Sequence, residues 1–366
     1  MSILKDAHIW FPAYVARRRG RPEGSVDVLF AFVDHFEPEQ RPLDPPELQV
    51  SRVSRWIERY EAVAARYADR LGRHPRHTYF FPEEQYRGDT LALLAGHCAK
   101  GFGEVEVHMH HDGETEESFR AKMGLFKERL ASHRLLARDR LDGRVKYAFI
   151  HGNWALDNSR ADGRWCGLNN EITLLRETGC YADFTMPSVP AEGGTQTHTI
   201  NSIYFADDDP HRPKSHDSGR TVVFGGRGSG DLLLIQGPLA LNWRNRKGGV
   251  FPRIENGDIS PTNPVTRERA RLWIEQRIGV GGKESTVFVK VHTHGLKARN
   301  FDFLFGGGIE TAFSIVNEEL NDGERRRLHY VTAREMANVV CAYNDGIDRP
   351  IADLFDYRFT PLFREP

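Results

Sequence analysis

The sequence predicts an α/β fold with a parallel sheet, most simply a (β/α) barrel with inserted loops. Apolar runs of strand length alternate with segments of helical spacing, and polar residues follow the strands directly. One α/β barrel with inserted loops fits a chain of 366 residues as well as two domains do. We therefore expect a single catalytic domain over 1–366, with its barrel core at about 26–342 and an irregular insertion at about 191–263.

The first half of the chain supplies four predicted strands. Residues 26–33 form a nearly continuous apolar run, which is typical of a strand buried on both faces. Because polar residues follow each strand, we expect the functional site at the carboxyl edge of the sheet. The other three strands are predicted at 77–81, 105–110 and 145–150, and the helices between them at 47–71, 90–99 and 115–130.

The second half of the chain is less regular. Residues 191–263 are rich in Gly, Asp, Asn and Pro, and they contain short β-like pieces at 221–224 and 232–235. This pattern predicts long loops or a small antiparallel excursion. Thr332 and Glu335 have the spacing of a capping box that opens the last long helix. Before it, regular alternation resumes with a helix at 266–277, a strand at 286–291 and a helix at 310–320.

Composition excludes several classes of protein. The formal net charge is −1 and the basic residues are scattered, so the basic surface of a nucleic-acid-binding protein is missing. The first eight residues include charges where a signal peptide needs an apolar run, and no stretch approaches the roughly 18 apolar residues of a membrane span. These observations predict a soluble, cytoplasmic protein without a membrane span. The sequence does not indicate its oligomeric state.

The cysteines predict neither a zinc ribbon nor a disulfide scaffold. The four residues are widely spaced and include no CxxC pair, so we expect each to pack as a small buried side chain. They are Cys98, Cys166, Cys180 and Cys341.

Histidines at the ends of predicted strands indicate a metal site. The run 104–112 alternates polar and apolar residues and ends in three histidines within four positions. Residues two apart on a strand point to the same face, so His108 and His110 can present imidazoles to one ion. His35 and the pair His292 and His294 also stand where apolar strand patterns end. Three such strand ends predict one shared site.

An ordered set of motifs resembles the polysaccharide deacetylases with the NodB homology domain, a group related to carbohydrate esterase family 4. The resemblance covers about 26–342, and this chain would be a divergent member. It implies a distorted or partly open seven-stranded barrel. The motifs are at 32–35, 77–82, 104–112, 149–154, 179–184, 289–295 and 330–335.

The resemblance implies roles for the first two site motifs. A pair of adjacent aspartates in the family corresponds here to Asp34, as general base, and His35, as metal ligand. The family's second motif has two histidines four positions apart, whereas here Asp112 stands four positions after His108. His108 and His110 are favoured by strand parity, but His111, Asp112 or Asp34 itself remain alternative ligands.

The remaining motifs imply a general acid and substrate-binding residues. His294 is favoured over His292 as the acid because it lies beyond the strand. The family's third motif supplies an arginine where this chain has His151. His151, Asn153, Trp154 and Asp183 are therefore the expected substrate-binding residues, although Trp154 also fits a packing role and Asn153 and Asp183 also fit turn caps.

These residues together predict a metal-dependent hydrolase. Zn²⁺ is the favoured ion for a histidine-rich site, with Co²⁺, Ni²⁺ or Fe²⁺ as alternatives. Metal-activated water would remove an acetyl group from an N-acetylated sugar or glycan intermediate, Asp34 would accept the water proton and His294 would protonate the leaving amine. A hydrolase of another C–N bond on the same scaffold and a catalytically inactive carbohydrate-binding relative are the alternatives.

Overall fold

The strands predicted in the first half of the chain lie side by side in one mostly parallel sheet. The structure is a computed structural model that describes residues 6–17, 20, 24–40, 44–188 and 195–365. It is a mixed α/β architecture in which helices cover the sheet.

The strands and helices have the following bounds. The strands are β1 (Val26–His35), β2 (His77–Pro82), β3 (Gly103–Met109), β4 (Ala137–Asp139), β5 (Val145–His151), β6 (Cys180–Asp183), β7 (Ile203–Ala206), β8 (Gly219–Thr221), β9 (Leu232–Ile235), β10 (Ala240–Lys247), β11 (Phe251–Glu255), β12 (Thr286–Thr293), β13 (Arg326–Val331) and β14 (Phe359–Pro361). The helices are α1 (Ala7–Ala16), α2 (Pro46–Ala64), α3 (Gly88–Ala99), α4 (Glu116–Ser132), α5 (Glu171–Thr178), α6 (Arg267–Glu275), α7 (Ala298–Phe303), α8 (Ile309–Leu320), α9 (Ala333–Asn344) and α10 (Ile351–Leu354).

The main sheet has the order β12-β1-β2-β3-β5-β6-β9-β7-β8. Pairing is parallel from β12 to β9, and β7 and β8 add antiparallel strands at one end. β13 also pairs with β1 in parallel. Hydrogen bonding between the described strands does not close this sheet into a ring, so a closed barrel is not shown. The parallel order places the carboxyl ends of β1, β2, β3, β5 and β12 at one edge.

Alternating side chains of β1 separate two apolar cores. Phe30 and Phe32 pack on the face that α2, α3, α4 and α8 cover, which we call the helix face. Leu29, Ala31 and Val33 pack on the opposite face together with α9, which we call the inner face. Because both faces of β1 are buried, its sequence is a nearly continuous apolar run, as predicted.

Most predicted elements of the parallel sheet are confirmed, with small differences at their ends. The predicted helix at 47–71 is too long, because α2 ends at Ala64. The Asp69 carboxylate accepts hydrogen bonds from the backbone amides of Leu71 and Arg73, and this local turn replaces the helix. The capping box of Thr332 and Glu335 at the start of α9 is confirmed.

The predicted insertion contains more strand than its composition indicated. Between residues 195 and 263 the chain forms β7 to β11, with β10 and β11 as an antiparallel hairpin. The strand piece predicted at 221–224 was misplaced, since β8 ends at Thr221. Residues 191–194 lie outside the described residues. Across the described ranges, none of the helices has the length and apolar character needed to cross a membrane.

A buried ion-pair network holds α9 against the amino ends of β2 and β3. Arg334 donates two hydrogen bonds to Glu104, at 2.9 and 2.8 Å. Glu335 accepts hydrogen bonds from Arg76 and from Arg73, the latter at 2.6 Å. Burial raises the pKa of Glu335, but the neighbouring arginines outweigh it and lower that pKa from 4.5 to about 2. The carboxylate is therefore charged whenever the protein is folded near neutral pH.

We expect Glu335→Gln to destabilise the fold by about 3–5 kcal/mol, because it leaves buried guanidinium groups without a charged partner while keeping the capping geometry. The folded pKa lies below the unfolded one, so this stabilisation is complete above about pH 4.5 and is lost as the pH falls towards about 2. Urea denaturation across that range measures both effects. Glu177→Gln, which removes an exposed pair with Arg120, is the matched control. Equal stability of the wild type and Glu335→Gln at pH 7 would contradict the expectation.

Candidate metal centre

The carboxyl ends of β1, β3 and β12 bring histidines together on the inner face. The His35 ring lies 4.8 Å from that of His108 and 4.5 Å from that of His294, centroid to centroid. The His108 and His110 rings are 4.7 Å apart, as the alternation along β3 predicts. The three predicted strand ends therefore share one site.

His108 has a ring nitrogen that is oriented for a ligand. Its side chain is fully buried, and Nδ1 lies 2.9 Å from the carbonyl oxygen of Ile150. A carbonyl can only accept, so Nδ1 carries the proton and Nε2 keeps its lone pair. Nε2 is buried and has no hydrogen-bond partner in the part of the chain that the structure describes. This is the tautomer that a metal-binding histidine needs.

Glu37 completes a compact group with His35 and His108. Candidate ligand atoms of the three residues all lie within 4.8 Å of one another, and Glu37 Oε1 is 3.5 Å from His108 Nε2. His35 is buried, and its Nδ1 likewise has no hydrogen-bond partner among the described residues. Two imidazoles and one carboxylate could hold a divalent ion and leave a position open for water.

The protonation states of this group suit a cation. Burial raises the pKa of Glu37, but the neighbouring basic side chains of His108, Lys297 and His294 outweigh it and lower that pKa to about 2. Burial lowers the pKa of His35 well below its usual range, and the neighbouring histidines lower it further. A charged carboxylate and neutral imidazoles are the forms that bind metal.

His110 lies at the rim of the group and is held by Glu84. Its Nδ1 is 2.5 Å from Glu84 Oε1, and its Nε2 is 3.6 Å from Glu37 Oε1. Burial lowers the pKa of His110, but the Glu84 carboxylate outweighs it and the net shift is upward. His110 is therefore paired with a carboxylate. Glu37, and not His110 as the sequence predicted, joins His35 and His108 in the compact group.

His294, His292 and Trp154 form the opposite wall. The His294 ring stacks on His35 at an interplanar angle of 14°. The Trp154 ring lies 5.1 Å from His35 and 5.6 Å from His294, whereas His292 is 6.3 Å from His35. His294 is thus nearer to the compact group than His292, and it is the more exposed of the two.

Asp34 points away from the metal group. Successive residues of β1 face opposite sides, so Asp34 lies on the helix face while His35 lies on the inner face. Its Oδ2 is 3.0 Å from His77 Nε2, and its Oδ1 accepts a hydrogen bond of 2.8 Å from the amide of Gly295. The carboxylate is fully buried. This geometry does not fit the predicted role of base, and it makes Asp34 a positioning residue for the turn that carries His294.

Two of the expected substrate-binding residues, His151 and Asp183, lie elsewhere, and Asn153 contacts His151 through its backbone amide. His151 is on the helix face, where its ring is 4.6 Å from that of His111. The amide of Asn153 donates to His151 Nδ1 at 3.2 Å, and Asp183 accepts hydrogen bonds from the amide and hydroxyl of Thr185 at 3.0 and 2.7 Å. Asp183 thus caps a turn. Of the four expected substrate-binding residues, the structure brings only Trp154 into the histidine cluster.

The alternative ligands His111 and Asp112 also lie outside the group of His35, Glu37 and His108. The Asp112 carboxylate accepts a hydrogen bond of 2.6 Å from the amide of Trp165. His111 belongs to a second buried group, in which it joins His151, Cys166 and Glu171.

Neither Glu37 nor Glu84 was among the site residues expected from the sequence. Glu37 stands two positions after His35, beyond the end of β1. Strand alternation therefore does not predict which way its side chain points. Glu84 follows β2 in a short 3₁₀ turn and meets His110 only through the pairing of β2 with β3. Comparison with known proteins adds no assignment, because no protein-family model and no curated protein matches this chain.

We expect His108→Ala to lose the ion bound at this group, because it removes the one nitrogen that is both buried and held in the metal-binding tautomer. Elemental analysis of purified protein measures the loss. His198→Ala, at an exposed histidine paired with Asp217, is the control and should keep the wild-type metal content. A His108→Ala variant with wild-type metal content would show that the ligand assignment is wrong.

Proposed function

We propose that the protein is a metal-dependent hydrolase that removes an N-acetyl group from a sugar or glycan precursor. The observation that carries the proposal is the group of His35, Glu37 and His108 at the carboxyl edge of the parallel sheet, with an unused nitrogen of His108 directed into it. A divalent ion bound there would lower the pKa of a coordinated water towards about 7 and polarise an amide carbonyl.

Two histidines flank this group and supply its proton transfers. His110 is partly exposed and backed by Glu84 at 2.5 Å, an arrangement that suits acceptance of a proton from attacking water. His294 stacks on His35 on the other side, where it can protonate the departing amine. An amide has a poor leaving group, so this second proton is essential. Asp34 acts through Gly295 by fixing the turn beside His294.

Trp154 gives the site a surface for a sugar ring. It is half-buried and packs against His35 and His294, so one part of the indole is anchored while another part stays exposed. Flat apolar rings bind the faces of pyranose rings.

We also propose three more specific features that the sequence predicts. They are a divergent polysaccharide deacetylase with a partly open seven-stranded barrel, zinc as the ion and a cytoplasmic glycan precursor as the substrate. The mostly parallel sheet supports the barrel expectation, and the donor set of two imidazoles and a carboxylate supports zinc.

Acetate release is the direct test. Zinc-loaded protein should release acetate from one or more members of a panel of N-acetylated sugars, nucleotide sugars and short oligomers. Chelation and His108→Ala should abolish the release, and His198→Ala should preserve it. Ammonia or another amine product without acetate would instead identify a hydrolase of a different C–N bond. Sugar binding without any turnover would identify an inactive relative.

The Asp34→Asn variant tests whether Asp34 is a positioning residue or the general base. We expect it to keep wild-type metal content and to lower turnover less than about 100-fold with an unchanged pH–rate profile, because general-base catalysis typically contributes about 10²–10⁴-fold. Asp34→Ala, which also loses the contact with the Gly295 amide, should be the more impaired of the two. A larger loss in Asp34→Asn together with a missing acidic limb of the profile would restore Asp34 as the base.

A further inference from the structure

The helix face carries a second group of potential metal ligands. Candidate ligand atoms of His111, His151, Cys166 and Glu171 all lie within 4.8 Å of one another, and all four residues are buried. β3 and β5 end beside this group, and Glu171 is the first residue of α5. The proposed hydrolase reaction uses none of these side chains.

We propose that these four residues form a second metal centre, of the structural zinc type, independent of the His35 group. A thiolate, imidazoles and a carboxylate are donors that zinc accepts in a tetrahedral arrangement. Complete burial on the helix face suits a structural ion rather than one that exchanges substrate and water.

The distances fit a small coordination sphere. Bonds of about 2.0–2.3 Å in a tetrahedron place the ligand atoms about 3.3–3.8 Å apart. Oε1 of Glu171 is 3.0 Å from His111 Nε2 and 3.9 Å from His151 Nε2. Its Oε2 is 3.3 Å from Cys166 Sγ. Small movements of the side chains would therefore bring all four donors to one ion.

Backbone amides beside the group donate to its sulfur and to its carboxylate. The amide of Asn158 donates to Cys166 Sγ at 3.3 Å, and the amide of Asp157 donates to Glu171 Oε2 at 2.7 Å. Gly167 has φ +105°, and a Cβ there would lie 2.6 Å from the amide nitrogen of Glu114. The close approach of this glycine turns Cys166 inward.

Without an ion the group contains an unsatisfied polar atom. His151 Nε2 is buried, is directed at Glu171 and has no hydrogen-bond partner within the described ranges. Buried polar atoms without partners are uncommon because each costs about 1–3 kcal/mol. Coordination would give this nitrogen a partner. Before binding, His111 and His151 must each carry their proton on Nδ1 and Cys166 must lose its thiol proton. His151 must also release the Asn153 amide.

Cobalt substitution tests this centre without relying on activity. A cobalt-loaded wild-type protein should show near-ultraviolet thiolate-to-cobalt charge transfer, because Cys166 is the only cysteine in either candidate group of the described chain. His108→Ala should keep this absorption, since it changes only the inner-face group. Cys166→Ser should abolish it, and Cys180→Ser, at another buried cysteine, should not.

Metal content gives the second readout. We expect about two zinc ions per wild-type chain and about one in each of His108→Ala and Cys166→Ser. Absence of charge transfer in the cobalt-loaded wild type would overturn the second centre, and this measurement needs no variant to fold. Wild-type zinc content in Cys166→Ser would overturn it as well. Failure of the first centre would appear separately, as unchanged zinc content in His108→Ala.

Discussion

The alternation of side chains along parallel strands is the constraint on which both buried groups depend. At the end of β3 it sends His108 and His110 to the inner face, while the next residue, His111, points to the helix face. At the end of β1 it separates Asp34 from His35 in the same way. A sheet is one backbone thick, so neighbouring residues of one short motif can serve two chemically distinct groups only a few ångströms apart.

The inner face of β3 shows why the unused nitrogen of His108 is significant. Glu104 is paired with Arg334, and Glu106 accepts hydrogen bonds from the Tyr181 hydroxyl and the Ala148 amide. Burial raises the pKa of Glu106 to about 8 against the opposing effect of those bonds. Glu104 and Glu106, which precede His108 on this face of β3, thus have partners. His108, at the carboxyl edge, has a ring nitrogen without one. The unpaired Nε2 of His108 is therefore the atom on this face of β3 that gains most from binding a ligand.

Periodicity in the sequence was sufficient to predict the parallel sheet and the shared face of His108 and His110. It was insufficient where the chain leaves a strand. Glu37 lies in the turn after β1, and Glu171 reaches its partners from a helix far along the chain, so neither has a spacing signal. The position of His151 on the helix face was not predictable for a different reason. The apolar run of β5 is buried on both faces, so its sequence does not show which face its last residue occupies.

Asp34 is the residue at which two arguments from the sequence disagree. An analogy with paired aspartates placed Asp34 and His35 in one site, whereas adjacent residues of a regular strand face opposite sides. The structure resolves the conflict in favour of strand parity. Asp34 still affects the site, since its carboxylate holds the amide of Gly295 next to His294.

A second connection between the two faces of the sheet leads to Trp154, in the same wall as His294. His151 ends β5 on the helix face, and three residues later Trp154, at φ 53°, reaches the inner face beside His35. Gly152 makes this crossing possible, because a Cβ there would lie 2.4 Å from Cδ2 of the His110 ring. The wall formed by His294 and Trp154 is therefore connected to the helix face at two points, through Asp34 and Gly295 and through His151 and Gly152.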